Sequence, residues 1–385
     1  MRPFKIEIPD NDIEILHRKI DDTRWPAAIW HDADEWDFGA PEGYLRELVA
    51  YWRDGFDWRS AEGRLNAFDQ FITAIDGLDV HFIHARSPHP TAKPLLLVHG
   101  WPGSVAEFLD LIPRLTHPEE FGGVAADAFH VVAPSLPGFA WSEAAHTPGM
   151  APHKVATQHA NLMAALGYDR FVAQGGDWGA LCCRYLPEVC PKRLMGLHLN
   201  LTLPTAPPGL DDPDGFLTDA EREYLVQWEA RDWEISGYSH LQGTKPQSLA
   251  YGLSDSPVGL AAWIAEKFDT WTDSKSDLRE AVSWDALLIN ISIYWFTNSI
   301  GSSMRLYKEF FSAMANGAGP SSRVEVPTGI ARYPAEHWVQ PASWAELEYN
   351  LIHVFEPDKG GHFAAMEQPE DFASDLRAFL SKLPC

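Results

Sequence analysis

The sequence is short of cysteine, of basic residues and of long apolar runs, and each shortage removes a class of protein. Four cysteines (Cys182, Cys183, Cys190 and Cys385) stand in a chain of 385 residues. Their spacing fits no metal-site pattern, and a disulfide framework is a device of much shorter secreted chains. They read as buried thiols in a reducing compartment. Lys and Arg number 30 against 54 Asp and Glu, a formal net charge of −24. Such an acidic surface repels phosphate backbones and anionic lipid, which argues against nucleic-acid and membrane partners. No apolar run reaches the roughly 20 residues that cross a bilayer. The opening Met1-Arg2-Pro3-Phe4-Lys5-Ile6-Glu7-Ile8 lacks the apolar stretch of a signal peptide. No internal repeat or long low-complexity segment is present. The expectation is a soluble, cytoplasmic protein.

What is there suits a large globular core. Hydrophobic residues make up 45% of the chain and charged residues 22%, enough apolar material for two or three folding units. Residues 1–68 read as a helical meander. Asp10 is expected to cap a helix carrying Ile13, Leu16 and Ile20, with Pro26 beyond its end. Pro41 is expected in the first turn of a second helix striped by Leu45, Leu48 and Trp52 and stopped at Gly55. Trp25, Trp30, Trp36 and Trp58 stud the connections. The segment has too little core to stand alone and is expected to wrap another domain.

Residues 69–205 then alternate between strand and helix. Two strand patterns, Phe71 to Ile75 and Leu78 to Ile83, flank the hairpin signal Asp76-Gly77. Pro94 to Val98 is apolar on both faces, as a central parallel strand should be. Phe129 to Ala133, Phe171 to Ala173 and Met195 to Asn200 follow, with a helix around Val155 to Leu166. Residues 206–317 lose the strand pattern and read as a helical lid; residues 318–385 return to the sheet with Val324 to Ala331, Tyr349 to Phe355 and a final helix from Asp371 to Leu383. The fold class is α/β, a mostly parallel sheet with right-handed crossovers and its ligand site beyond the carboxyl ends of the strands.

The chain is organised around Gly175-Gly176-Asp177-Trp178-Gly179. A strand runs into it and a helix runs out, with small residues two places either side of the centre. That is the context of a nucleophile elbow, here carrying Asp177 in place of serine. His362, in Gly360-Gly361-His362-Phe363, follows the last strand, which gives the chain order nucleophile, acid, histidine of α/β-hydrolases. The acid is Glu336, on the neighbouring strand's loop; Glu356 and Asp358 lie closer to His362 in sequence but share its loop. The loop His99-Gly100-Trp101-Pro102 stands where that fold places one oxyanion donor. Pro102 has no N–H, so Trp101 supplies it, and the Trp178 N–H is the second. His99 itself is expected to bond the loop. A carboxylate attacks saturated carbon bearing a good leaving group, so an epoxide or a carbon–halogen bond fits. Ring opening needs acids, and the lid tyrosines Tyr238, Tyr251, Tyr294 and Tyr307 are candidates among which composition does not choose.

These stretches together resemble the microsomal-type epoxide hydrolases, whose members combine an N-terminal meander, an α/β-hydrolase core and a helical lid. The resemblance runs from Pro3 over essentially the whole chain. It is carried by Asp21-Asp22-Thr23-Arg24-Trp25-Pro26, the His99 to Ser104 loop and the elbow. Ser254 to Ala262, Val326-Pro327-Thr328-Gly329 and Gly360 to Ala365 add to it. It implies Asp177 as nucleophile, His362 as general base, Glu336 as orienting acid, and Tyr238 and Tyr307 as the ring-opening pair. It implies no metal or organic cofactor. The implied partners are a small-molecule epoxide and water, and a homodimer is compatible with them. Membrane-bound members carry an N-terminal anchor, whereas this chain starts at the meander. Relatives of this type either detoxify or tailor natural products. The aromatic lid leans towards a bulky or aryl epoxide. The rival readings are a haloalkane dehalogenase, which would share Asp177 and His362, and a non-catalytic binding protein on the same fold.

Overall fold

The computed structural model of the chain describes residues 1–27 and 36–384, so Trp30 and Cys385 lie outside the described residues. The chain first lays down β1 (Arg2–Phe4), then β2 (Gln70–Ile75) and β3 (Leu78–Ala85). Asp76 and Gly77 join β2 to β3 with φ of +52° and +86°, and Ile75 faces Leu78 across the turn. Both turn residues are left-handed, the primed geometry whose twist matches the strands it connects. Next come β4 (Lys93–Val98), β5 (Phe129–Pro134), β6 (Phe171–Gly175) and β7 (Leu194–Leu199), and after the lid β8 (Val324–Ala331) and β9 (Tyr349–Phe355).

Among the described residues these form one nine-stranded sheet in the order β1-β2-β3-β5-β4-β6-β7-β8-β9. The pairs from β1 to β5 along that order are antiparallel, and all later pairs are parallel. The apolar run Leu95 to Val98 is fully buried and splits by alternation. Leu96 and Val98 join the large core under the lid, while Leu95 and Leu97 pack with Phe372, Leu376 and Phe379 of the final helix (Pro369–Lys382). The mostly parallel sheet, covered on both faces and carrying a helical insertion, is the α/β-hydrolase architecture expected from the sequence.

The insertion between β7 and β8 contains six α-helices among the described residues, from Asp219–Ile235 to Ile300–Ala315. The N-terminal helices dock on it. Trp52 Nε1 donates to Ser292 Oγ at 3.0 Å in the buried interior, and the Trp58 ring meets Phe296 at 4.7 Å. Three local details differ from expectation. Asp10 does not cap its helix: Pro9 (φ −59°, ψ 142°) already occupies the extended cap position, and Asp10 and Asp12 sit in the first turn near the unpaired N–H groups. Pro41 is itself the extended cap residue of Glu42–Asp54. The final helix begins earlier, at Pro369, because proline fits a first helical position. No helix among the described residues is long and apolar enough to cross a membrane.

A buried network locks the final helix to the sheet beside β8. Asp375 accepts from His198 Nε2 on β7 at 2.8 Å and from His353 Nε2 on β9 at 2.5 Å, while Lys382 Nζ donates to His353 Nδ1 at 2.8 Å. The lysine bond fixes the His353 tautomer, with its proton on Nε2. Burial pushes the Asp375 carboxyl up, but the two imidazoles outweigh it and hold it below the usual carboxylate value. A lowered folded value means that the stabilisation is complete above the unfolded value, about 3.9, and is lost as pH falls through the lower folded one. Asp375→Asn is expected to cost about 3 kcal/mol at pH 7. Urea unfolding at pH 7 and below pH 4 checks this: the gap between wild type and variant should narrow in acid, and an equal gap at both pH values would contradict the assignment.

Candidate active site

β6 ends at Gly175 and a helix (Asp177–Cys183) starts two residues later, so Asp177 must turn the chain. It does so at φ +46°, the left-handed region that costs a non-glycine residue about 1–3 kcal/mol. The surroundings hold it there. A Cβ on Gly179 would strike the Val98 carbonyl, and one on Gly175 would strike the Gly179 carbonyl, so helix and strand approach backbone to backbone. The Asp177 side chain is left 18% exposed above the strand ends. Gly100 faces its carboxylate so closely that no side chain fits there.

The loop after β4 meets Asp177 from one side. The Trp101 N–H donates to Asp177 Oδ1 at 2.6 Å. The Trp178 N–H lies in the first turn of the elbow helix, where backbone donors lack an intrahelical acceptor. The lid fixes the loop: Asn290 Nδ2 donates to the Pro102 carbonyl, Ser104 Oγ to Asn290 Oδ1 and Tyr294 Oη to the Gly103 carbonyl, each at 2.7 Å. His99 is the loop staple expected from sequence. Its Nδ1–H donates to the Gly100 carbonyl and its Nε2 accepts the Leu136 N–H, a neutral form that burial favours by pulling its pKa to about 4.

From the other side comes His362, on the loop after β9. Its Nε2 stands 3.5 Å from Asp177 Oδ2, and its Nδ1 is 2.8 Å from Glu336 Oε2 on the loop after β8. The His362 N–H donates to the Trp271 carbonyl at 2.8 Å, and Glu336 Oε1 accepts the Trp338 N–H at 3.1 Å. Of the three acids considered, the fold brings Glu336 to the imidazole; Glu356 is exposed and pairs with Arg332, and Asp358 is exposed. Burial opposes charge on His362, but the carboxylates of Glu336 and Asp177 prevail and hold it well above its ordinary value.

Packing also sorts the tyrosines. Tyr251 is 71% exposed, and Tyr294 is spent on Gly103. Tyr238 and Tyr307 are buried, their rings edge to face at 5.7 Å. Trp101 stacks on Tyr238 at 5.3 Å, and Trp178 meets Tyr307 edge-on at 4.6 Å. Burial first, with neighbouring negative charge adding to it, keeps both phenols far above their usual pKa, so they stand as neutral donors. Asp177 and both phenols open onto a chamber of about 590 Å³ whose walls include Leu181, Phe310 and Met314. No group of three or more His, Cys, Asp or Glu among the described residues is placed to hold a metal ion. Sequence reasoning passed over the lid clasp on the Trp101 loop and over Glu107, which lines a small cavity together with Asp177 and His362. Neither has a local signal beyond its nearness in sequence to the loop or to lid tyrosines.

The chain is similar to known proteins over essentially its whole length. Residues 1–108 match a family model described as the epoxide hydrolase N terminus, and residues 93–300 match the alpha/beta hydrolase fold. A homologue from Stigmatella aurantiaca is 47% identical over 382 residues, covering 99% of this chain and 85% of its own length. Epoxide hydrolase 1 of Sus scrofa is 40% identical over 407 residues, covering 100% of this chain and 89% of its own length. The crystal structure of juvenile hormone epoxide hydrolase from the silkworm Bombyx mori superposes with a TM-score of 0.89 at 34% identity, over 99% of this chain and 94% of that one. With full-length similarity at these identities, the chain belongs to the epoxide hydrolase family, built on the α/β-hydrolase fold.

Proposed function

We propose that the protein converts an epoxide to a vicinal diol through a covalent ester on Asp177, with His362 and Glu336 activating the water that releases it. The observation that carries this is the pairing of an elbow carboxylate with two buried, neutral phenols across one chamber. Oδ1 is held by the Trp101 N–H, which leaves Oδ2 to attack a ring carbon while Tyr238 and Tyr307 hydrogen-bond the ring oxygen. The C–O bond of the strained ring breaks. The alkoxide that forms is stabilised by the phenols and takes the proton of the His362 imidazolium through them.

Ester formation also changes the electrostatics of the second step. Asp177 loses the negative charge that helped to keep His362 protonated, so the imidazole left behind is a competent base. It takes one proton from water while the water oxygen bonds to Asp177 Cγ. The N–H groups of Trp101 and Trp178 receive the oxyanion. Collapse breaks the bond to the diol oxygen, the new carboxyl proton passes to that oxygen, and Asp177 returns as carboxylate beside a protonated His362. No cofactor enters the balance. A dehalogenase would use an indole N–H such as that of Trp178 for halide; the two buried phenols and the full-length similarity to epoxide hydrolases favour the epoxide.

The chamber supports a bulky, largely apolar epoxide. Its 590 Å³ lies within the range of pockets that enclose drug-sized ligands, and Leu181, Phe310 and Met314 offer it apolar surface.

Rapid-quench assays on styrene oxide test the residue roles. Asp177→Ala should form neither ester nor diol. His362→Gln should form the ester and retain it, visible as a mass increase on the intact protein. Tyr238→Phe or Tyr307→Phe should each slow ester formation by about 10²-fold, the ordinary worth of a positioned acid. Ester formation at wild-type rate in either phenylalanine variant would remove the phenols from the mechanism, and bromide release from a bromoalkane would favour the dehalogenase.

Chain length tests the substrate. Across terminal epoxides, kcat/KM should rise by about fourfold per added methylene, the rate equivalent of burying one CH₂, until the chamber is filled. A flat or falling series would contradict a bulky apolar substrate.

A further inference from the structure

A second, much smaller cavity lies on the side of Asp177 away from the substrate chamber. Asp177, His362, Glu107, Gln174 and Asn200 are among its walls, and it offers about 10 Å³ to the centre of a water molecule, room for one water. Four buried polar atoms on residues around it have no hydrogen-bond partner among the described residues: His362 Nε2, Glu107 Oε1, Gln174 Oε1 and Trp101 Nε1. Gln174 is held by its amide, which donates to Asn200 Oδ1 at 2.7 Å. Glu107 projects from the 3₁₀ turn Val105–Phe108 that follows the Trp101 loop, and its carboxyl lies where a Cβ on residue 103 would be, so glycine there makes its room. Burial pushes the Glu107 carboxyl up to about 8; the His362 charge opposes this and the Asp177 charge adds to it. Near neutral pH the group is therefore mostly an uncharged acid, which sits beside the Asp177 carboxylate without repelling it.

A water in this cavity would lie among residues whose buried polar atoms need partners, beside the residue whose carboxyl carbon must be attacked. We propose that Glu107 is a water-positioning residue: its Oε1 accepts one O–H of the hydrolytic water while the other O–H points at His362 Nε2, leaving the oxygen lone pair directed at Asp177 Cγ. This rests on the ester mechanism proposed above. The water oxygen bonds to Cγ, the proton on the His362 side moves to Nε2, and the proton held by Glu107 stays on the oxygen. Glu107 neither gains nor loses a proton. It acts on the second step alone, because the epoxide enters from the opposite chamber.

The test is rapid-quench kinetics with excess enzyme and styrene oxide on wild type, Glu107→Leu, Glu107→Ala and Glu107→Gln. Leucine and alanine remove the acceptor, whereas glutamine keeps one. Ester formation should stay within about twofold of wild type in all four. Ester decay should slow by about tenfold or more in the leucine and alanine variants, and glutamine should restore it to within about threefold. In the steady state the two impaired variants should lower kcat and KM together and leave kcat/KM unchanged. Ester forms only on folded enzyme and its decay is unimolecular, so a reduced folded fraction does not alter the reading. Unchanged decay in the alanine variant, equal slowing of both steps, or a glutamine variant as slow as leucine would overturn the proposal. A wild type that forms neither ester nor diol would instead overturn the epoxide reading beneath it.

Discussion

An aspartate held at φ +46° is the constraint around which the rest of the molecule is arranged. The conformation is costly for a residue with a Cβ and persists only where neighbours over-determine it. Here β6 and the elbow helix clamp it from within, through backbone contacts that only glycine at 175 and 179 permits. From outside, the Trp101 N–H fixes one carboxylate oxygen at 2.6 Å, and lid side chains in turn fix the Trp101 loop. The lid thus has two tasks. It closes the chamber in front of Asp177, and it holds the Trp101 loop on the sheet. The N-terminal helices reach the same lid helix through Trp52 and Ser292, which ties the first part of the chain to the geometry of the site.

Charge is the second organising quantity. Asp177 and Glu336 flank His362 in a nearly dry setting, and two carboxylates share one imidazolium. Removing one of the two carboxylates weakens the hold on the imidazolium's proton, with Glu336 left as its single charged partner. Esterification of Asp177 is a chemical way of doing so, and the proposed cycle uses it to turn a bound proton donor into a base. Beside this pair the phenols must remain neutral, which burial ensures. The same low-dielectric surroundings serve each group by pushing its proton affinity in the direction its proposed role requires.

Much of this was legible in the sequence. The central strand Leu95 to Val98 announced itself because a strand buried on both faces has no polar alternation to lose. Asp177 and His362 were visible because tight backbone geometry demands glycine, and glycine-rich turns after apolar strands are rare. Glu336 was chosen over Glu356 and Asp358 by loop order, and the fold places it 2.8 Å from His362. Among the four lid tyrosines, exposure sets Tyr251 aside and the bond to the Gly103 carbonyl sets Tyr294 aside, and both follow from helix packing that local pattern does not encode. The Asp10 cap was misplaced by one residue because the preceding Pro9 already supplies the extended conformation. The His198–Asp375–His353 network and the reach of Glu107 were invisible for a different reason. Each joins residues from separate elements, and a buried acid reads in sequence like any exposed one.

The central claim is that the new oxygen of the diol comes from Asp177. The measurement is a single turnover of styrene oxide in oxygen-18 water with enzyme in excess, followed by mass analysis of the diol and of the peptide containing Asp177. The account predicts unlabelled diol in the first turnover and one oxygen-18 in the Asp177 carboxylate, because water attacks Cγ and leaves its oxygen on the enzyme. Oxygen-18 in the first-turnover diol, with none in the peptide, would show direct attack of water on the epoxide and contradict the account.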